Sequence, residues 1–487
     1  MPQAAKTVLY SFFPIRNNGC EEPLVTLTRQ LLERVFALGY DDLTEADLAA
    51  ARDLLLDHIG VAARGSRTDA ARAARELALV LGGDASRQLP LIGTKVRAGA
   101  LQAAFANAVS AHSIEYDDVH NTSSTHPGVA VFPAALAAQA FAGADERAFW
   151  CGVISGYEVV GRVGRAAGPA AQYDRHFHPT GTCGHLGAAA AAARILGLDV
   201  DAVVSALGIA ATMAGGSMRF AADGSSVKLI NPAAAARNGV EAALLAQRGY
   251  DGGPDAIAGP RGFFDTFSGE AQPELLLSGF GERPLEVRNT SIKAHTCCRY
   301  NQGPIDALLE LRRTHALAAD SVESIQIGML SAGMDLVARP VEAKREPRSV
   351  VDAQFSMPFA AAVALEDGRA NLEQYSLDRL GDKRVRELMA RVECVADPEL
   401  DRGSPERWAA WARVRTRDGR MLEARVEYPK GDPENPFSEQ ELRDKFSALT
   451  APVYSPERRA QIFASLERCN QPGSLKQLLE LLPGDLE

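Results

Sequence analysis

Apolar residues recur with helical spacing between Pro23 and Leu275. Positions i, i+3 and i+4 are apolar over successive segments, and this spacing predicts amphipathic helices. Thr44 followed by Asp47 is a capping signal at the start of one of them. Many of these segments are rich in Ala and Gly, whose small side chains let helix axes approach closely, so we expect a compact bundle. The predicted helices span 24–38, 45–61, 70–81, 98–111, 134–142, 149–166, 187–196, 202–212 and 232–247.

The pattern changes near residue 285. Segments 322–329, 392–395 and 410–416 alternate or are rich in β-branched residues, which is typical of strands. Arg417-Asp418-Gly419-Arg420 predicts a hairpin turn, with 421–428 as the returning strand. Helical spacing at 302–314, 357–366 and 382–391 lies between these strands. After a proline-rich loop, helices are predicted again from Ser438 onwards, as if the chain returned to the first unit.

We therefore predict a mainly α fold with an α+β part: a discontinuous all-helical bundle domain plus a smaller α+β lid domain. The helical domain is expected over 24–285 and 433–487, and the lid over 286–432. Residues 1–23 carry a short apolar patch without a long apolar core, which predicts an N-terminal arm and not a signal peptide.

Composition narrows the class of partner. The net charge of −10 argues against nucleic acid and against an anionic membrane, although a local basic pocket could still bind a small anionic substrate. The apolar runs 129–138 and 186–193 are too short to span a bilayer. Seven cysteines without a CxxC pair indicate reduced thiols and a cytoplasmic location.

One stretch concentrates groups suited to acid–base chemistry. Six of the nine histidines lie between His112 and His185, and the segment HSIEYDDVHNTSSTHPG adds three carboxylates. Imidazoles that titrate near neutral pH beside proton acceptors are typical of an enzyme. His126 and His178 each precede a proline ahead of a predicted helix, where they could face a pocket or cap the helix. The weaker candidates are His112, His120, His176, His185 and His295, whereas His58 and His315 resemble ordinary helix residues.

Two lysines occur in segments of little other charge. Arg greatly outnumbers Lys in this chain, and an amine, unlike a guanidinium, can lose its proton when desolvated. Lys228 lies in SSVKLINP and Lys293 in SIKAHTCCRY; surface salt bridges are the alternative interpretation. No HExxH or CxxC spacing is present, and the glycine-rich pieces follow no clear strand, so neither a metal nor a nucleotide cofactor is expected.

Several segments together resemble the MmgE/PrpD family, which includes 2-methylcitrate dehydratases, cis-aconitate decarboxylases and iminodisuccinate epimerases. The similar segments are HSIEYDDVHNTSSTHPG, HPTGTCGHLGAAAAAARILGL, SVKLINPAAAARNGVEAALLAQRGYDG with GPRGFF, SIKAHTCCRYNQGPIDAL and NPFSEQELRDKF. The resemblance implies a metal-free active site in a cleft between a helical domain and a lid, a small carboxylate as substrate, and commonly a homodimer.

The resemblance also implies site residues. His126, His178, Lys228 and Lys293 match the family's histidines and lysines. The acidic cluster is matched by Glu115, usually Asp, with Asp117 and Asp118, and the stretch after the second lysine by Cys298 and Arg299. Three positions depart from the pattern: Val119 stands where some decarboxylases have Thr, Gln302 where His is frequent, and Phe359 where the lid helix carries Tyr.

The resulting hypothesis is a metal-independent, dehydratase-type lyase acting on a small di- or tricarboxylate such as 2-methylcitrate. Proton abstraction next to a carboxylate would be its first step, and lysine and arginine would offset charge on an enolate-like intermediate. An epimerase or decarboxylase on iminodisuccinate or cis-aconitate would share that beginning. A metallohydrolase using the His and Asp cluster and a non-catalytic carboxylate-binding homologue are the alternatives from other classes.

Overall fold

The computed structural model describes residues 25–282 and 284–486. The predicted arm, residues 1–23, lies outside the described residues. Helices dominate the described chain, and a mixed four-stranded sheet lies in its later part. The predicted fold class, mainly α with an α+β part, is therefore confirmed.

The first part of the chain is a succession of helices. Thr44 caps the second of them: its side chain accepts from the Asp47 N–H, while the Asp47 carboxylate accepts from the Thr44 N–H, as predicted. The helices are α1 (Leu27–Ala37), α2 (Glu45–Gly65), α3 (Asp69–Leu81), α4 (Ala100–His112), α5 (Pro127–Ala142), α6 (Glu146–Ala167), α7 (Pro169–Asp174), α8 (Pro179–Ile195), α9 (Val200–Met213), α10 (Phe220–Asp223), α11 (Ile230–Gln247) and α12 (Phe263–Phe267). Two short antiparallel ribbons accompany them: β1 (Gln88–Pro90) with β2 (Arg97–Gly99), and β3 (Val119–His120) with β4 (Thr290–Ser291).

Helices α5 and α8 begin earlier than predicted, at Pro127 and Pro179 rather than at 134 and 187. Their first turns are buried on all sides, so no alternation of apolar and polar positions marks them in the sequence. Proline suits the first helical position because its fixed φ matches the helix and its missing N–H needs no partner there. His126 and His178 are consequently the residues that immediately precede the two helices.

The later part of the chain is built around the mixed sheet. Its strands are β5 (Val322–Met329), β6 (Val392–Ala396), β7 (Ala410–Thr416) and β8 (Met421–Val426), in the order β6-β5-β7-β8. Strands β5 and β6 are parallel, and the other neighbours are antiparallel. The predicted hairpin turn joins β7 to β8, with Gly419 at φ +89°. The helices here are α13 (Gln302–His315), α14 (Met334–Val337), α15 (Val341–Arg345), α16 (Val350–Gln354), α17 (Met357–Asp367), α18 (Leu377–Gly381), α19 (Lys383–Met389) and α20 (Pro398–Asp401).

Two large apolar cores organise the described chain. The first takes side chains from Leu31 to Ile292 and again from Leu442 to Leu482, so the final helices complete it. The second takes side chains from Cys297 to Leu422. The final helices are α21 (Glu439–Thr450), α22 (Pro456–Glu467) and α23 (Ser474–Leu481). The domain boundaries 24–285, 286–432 and 433–487 stay a prediction.

Within the described ranges, no helix combines the length and the apolar character needed to cross a membrane.

Candidate active site

A cleft with about 470 Å³ of empty space, its open mouth included, lies between the two cores. Six of the nine predicted site residues line it, whereas Asp117, Asp118 and Lys293 lie behind its wall. The lining residues are Glu115, Val119, Ser124, His126, Tyr173, His178, Met218, Phe220, Lys228, Cys298, Arg299, Tyr300, Leu336, Phe355 and Trp408.

The carboxylate of Glu115 joins the two predicted lysines. Lys228 Nζ donates to one oxygen of Glu115, and Lys293 Nζ donates to the other at 3.0 Å. Lys293 is 0% exposed and Glu115 4% exposed, so these charges depend on each other for compensation. Burial opposes ionisation of Glu115, but the two ammonium groups hold its pKa well below the ordinary value. Burial also opposes the charged form of Lys293, yet the charge of Glu115 raises the pKa of this lysine.

Backbone pairing brings these distant residues together. The β3–β4 ribbon places Val119 opposite Ser291, so the loop that carries Glu115 lies beside the segment that carries Lys293. Gly431, at φ +91°, accepts from the Ile292 N–H, and a Cβ there would lie 1.8 Å from the Ile292 carbonyl oxygen. Lys445 Nζ on α21 donates to the Lys293 carbonyl at 2.8 Å. The C-terminal helices therefore help to fix the position of Lys293.

Asp117 orients two imidazoles at the base of the cleft. Its Oδ2 lies 2.7 Å from His112 Nδ1 and 3.1 Å from His126 Nδ1. Burial opposes the charge of Asp117, but these imidazoles hold its pKa well below the ordinary value. Burial lowers the pKa of His112 to about 4, so this ring is neutral at pH 7. His112 was one of the weaker candidates in the sequence, although it shares the acidic segment with Asp117.

The contacts of His126 fix which of its nitrogens carries the proton. Its Nδ1 lies 2.8 Å from the carbonyl oxygen of Asp118, and a carbonyl oxygen can only accept. Nδ1 therefore donates, and Nε2 keeps the lone pair in the neutral ring. His126 lines the cleft, and in the neutral form of this tautomer its Nε2 offers the lone pair that a general base uses.

His178 is held in the opposite tautomer. The amide nitrogen of Asn231 lies 3.3 Å from His178 Nδ1; as an amide nitrogen only donates, this ring nitrogen accepts and Nε2 carries the proton. Burial, reinforced by the nearby charge of Lys228, holds the pKa of His178 well below its ordinary value. A neutral imidazole with Nε2–H can donate a hydrogen bond to an oxygen in the cleft.

Asp118 faces the helices and does not line the cleft. Its carboxyl group accepts from the Gly128 N–H at 3.0 Å and from the Tyr157 hydroxyl at 2.7 Å, so it caps α5. Burial raises the pKa of Asp118 to about 8 despite these hydrogen bonds. Its direct contacts favour a role in positioning the segment around His126.

Arg299 presents a guanidinium to the cleft, and Asp432 holds it. Arg299 Nη2 donates to Asp432, and Nε donates to Asn121 at 3.0 Å. Nη1 is buried and has no hydrogen-bond partner among residues 25–282 and 284–486, so one donor of this guanidinium is unused. Asp432, which lies in the proline-rich loop after β8, was not among the predicted site residues. The signal in the sequence that could have indicated this residue is a carboxylate between Gly431 and Pro433. Its partner Arg299, however, lies 133 residues away along the chain.

The three departures from the family pattern have different surroundings. Val119 lines the cleft. Gln302 accepts from the His295 N–H at 2.9 Å and donates to the His295 carbonyl at 3.0 Å, so it shapes the loop after Lys293. Phe359 is fully buried, with its ring 5.3 Å from that of Tyr375, and does not line the cleft.

The remaining candidate histidines lie outside the cleft wall. His185 bonds to Gly181 within α8, and His120 bonds to Glu286. His295 pairs with Asp306 at 2.8 Å, and His176 is exposed.

One group in the described chain has the geometry of metal ligands. The ligand-type atoms of His112, Asp117 and His126 lie within 4.8 Å of one another. His and carboxylate ligands suit zinc, so these residues could hold an ion if their mutual hydrogen bonds opened.

The chain is similar in sequence, over nearly its whole length, to proteins named as cis-aconitate decarboxylases or as like them. The chain is 29% identical over 486 residues to "Cis-aconitate decarboxylase-like protein oryM" of Aspergillus oryzae, covering 95% of this chain and 98% of that protein. It is 27% identical to cis-aconitate decarboxylase of Homo sapiens, covering 94% of this chain and 95% of the relative. For cis-aconitate decarboxylase of Aspergillus terreus (strain NIH 2624) the identity is also 27%, with 94% and 96% covered. The MmgE/PrpD N-terminal domain model matches residues 29–276, and the MmgE/PrpD C-terminal domain model matches residues 295–469. The chain belongs to the MmgE/PrpD family.

Proposed function

We propose that the protein is a metal-independent lyase that removes a proton next to a carboxylate of a small di- or tricarboxylate substrate and then expels water. The observation that carries this proposal is the convergence of His126, His178, Lys228 and Arg299 on one cleft. A proton acceptor, a hydrogen-bond donor and two cations are groups that support an elimination through an enolate-like intermediate.

Each residue has a role that follows from its contacts. Lys228 and the free Nη1 of Arg299 bind substrate carboxylates and offset the charge that develops on the enolate. His126 takes the proton from carbon through Nε2, and Asp117 orients its ring and stabilises the imidazolium that forms. His178 donates a hydrogen bond from Nε2 to the departing hydroxyl, and the imidazolium formed at His126 returns its proton to that oxygen, so that water leaves. Lys293 acts through Glu115, because it lies behind the cleft wall.

A carboxy-lyase is the second candidate, favoured by the relatives named cis-aconitate decarboxylases. The same cations would stabilise the carbanion left by loss of CO₂, and protonation of carbon would replace its deprotonation. Val119 counts against this candidate, because some decarboxylases carry Thr at that position. Product analysis separates the two, since dehydration retains every carboxylate and decarboxylation releases one.

The test is turnover in D₂O, followed by NMR, with citrate, 2-methylcitrate, cis-aconitate and iminodisuccinate. We expect one of these acids to be converted or to exchange a C–H for deuterium. His126→Gln should then reduce the rate by about 10²–10⁴-fold. His315→Gln, at an exposed histidine of α13, is the matched control and should leave the rate unchanged. Full activity of His126→Gln would contradict the assignment of the base, and inertness of every acid would contradict the proposal.

Metal content tests the metallohydrolase alternative. Stoichiometric zinc or manganese in the purified protein, together with loss of activity on chelation, would favour that alternative at His112, Asp117 and His126. Activity that persists after chelation would support the metal-independent lyase.

A further inference from the structure

Aromatic and aliphatic side chains form much of the cleft beyond its charged groups. The Phe220 and Phe355 rings lie 6.2 Å apart, and Lys228 Nζ lies 5.1 Å from the centre of the Phe355 ring. On the other side, Trp408 stacks on Tyr300 at 4.3 Å. We call the following residues the apolar wall: Val119, Met218, Phe220, Leu336, Phe355 and Trp408.

The cations of the site are already compensated by carboxylates. Lys228 and Lys293 share Glu115, and Arg299 is paired with Asp432. Asp117 adds a further negative charge beside the imidazoles. The buried ionised groups therefore nearly balance before substrate binds. Each substrate carboxylate adds a negative charge to this setting. Lys228 and the unpartnered Nη1 of Arg299 are the two cationic contacts that the lining could offer, so a third carboxylate would have no cationic partner.

The one side-chain N–H or O–H group of the apolar wall is the indole N–H of Trp408, which already donates to the Pro405 carbonyl. The hydroxyl groups of the cleft lining belong to Ser124, Tyr173 and Tyr300, outside the apolar wall. Val119 has no hydroxyl, and Leu336 of α14 offers only methyl groups. A carboxylate placed against these side chains would lose its hydration without gaining partners. An alkyl group placed there would gain the transfer free energy of leaving water.

We propose that the natural substrate carries one or two carboxylates at the charged end of the cleft and an apolar substituent longer than methyl against the apolar wall. This inference rests on the proposed function and specifies its substrate class. The carboxylates bind Lys228 and Arg299, and the substituent extends between Phe355 and Leu336.

The test is a homologous series of 2-alkyl-substituted dicarboxylic acids, from unsubstituted through methyl to pentyl, with citrate and cis-aconitate as triacid references. Binding to the full chain is measured by isothermal titration calorimetry. We expect Kd to fall roughly fourfold for each added methylene that contacts the wall, the ratio for burying one CH₂. The longer members should bind more tightly than either triacid.

Leu336→Asp places a carboxylate in the wall and should abolish the dependence of Kd on chain length. Leu336→Ala should weaken that dependence, and it serves if the aspartate variant fails to fold. The matched control is Leu377→Ala on α18, a leucine that is 69% exposed and not part of the cleft. It should behave as the unmodified protein does.

The outcomes separate the two proposals. If the triacids or the unsubstituted acid bind most tightly and turn over, the inference about the substituent is wrong and the proposed function stands. If chain length matters equally in Leu336→Asp, the assignment to the apolar wall is wrong. If no carboxylate of the series or reference set binds, both proposals are wrong.

Discussion

Replacing Glu115 with Gln should destabilise the protein strongly, because it leaves Lys293 without its counter-charge. At 3.0 Å and an effective dielectric constant of about 20, the pair has a gross attraction of about 5–6 kcal/mol. Removing one partner of a buried pair leaves the other desolvated, which costs about 3–5 kcal/mol. We expect the free energy of unfolding of Glu115→Gln to fall by that amount at pH 7.

The assay is equilibrium unfolding in urea, followed by tryptophan fluorescence. Trp150 belongs to the first core, whereas Trp408 and Trp411 belong to the second, so emission reports on both. Glu387→Gln, which removes an exposed partner of Lys383 at 3.8 Å, is the control and should change stability by less than about 1 kcal/mol. If unfolding is not reversible, the unfolding rate replaces the free energy.

The difference in unfolding free energy between the unmodified protein and Glu115→Gln should depend on pH with a defined sign. The pKa of Glu115 is lowered by folding, so its contribution is present above the ordinary value of 4.5 and is lost as the pH falls through and below it. The pKa of Lys293 is raised, so its contribution is present below the ordinary value of 10.5 and is lost only above it. The stability gap between the unmodified protein and Glu115→Gln should thus be flat from about pH 6 to 9 and shrink in acid. A gap no larger than that of the Glu387→Gln control would refute the reasoning.

Three further substitutions test other contacts of the site. Asp432→Asn removes the charge that orients Arg299, so steady-state kinetics should show KM raised about tenfold and kcat changed less; an unchanged KM would oppose that role. The raised pKa of Asp118, about 8, means that folded protein keeps a proton that unfolded chain releases above 3.8, so stability should fall as the pH rises from 4 to 8. Asp118→Asn should flatten that slope in a thermal-unfolding pH series, and an unaltered slope would contradict the assignment. Gly128→Ala would place a Cβ 2.8 Å from Asp118 Oδ2 and should cost about 1–3 kcal/mol in urea unfolding. Gly381→Ala, with no heavy atom within 4 Å of the added Cβ, is its control; equal effects would show that the close contact at 128 is harmless.

The local pattern of apolar and polar residues was sufficient to predict much of the fold. Strands β5 and β7 have the predicted ends, because alternation and β-branched residues mark a sheet with differently exposed faces. The starts of α5 and α8 could not be predicted from the sequence, because residues that are buried on every side show no periodic alternation of apolar and polar positions. The histidines at these starts were nevertheless noticed, through the prolines that follow them.

The site was harder to predict where it depends on contacts between distant segments. Nothing local indicates that one carboxylate, Glu115, would bind Lys228 and Lys293 together, 113 and 178 residues away. His112 and Asp432 gained importance only from their partners in space. The roles of the site residues, the homodimer and the cytoplasmic location stay predictions; size-exclusion chromatography with light scattering tests the dimer.

The first core draws on side chains from Leu442 to Leu482 as well as from Leu31 to Ile292. The ribosome synthesises the second of these segments well after the first. The nascent chain therefore exposes an incomplete apolar core while more than a hundred intervening residues are added. Chaperones that cover such apolar surfaces would then assist the folding of this chain during synthesis. Deletions near the carboxyl end should accordingly lower the yield of native protein more than deletions of equal length in the exposed turns of the sheet.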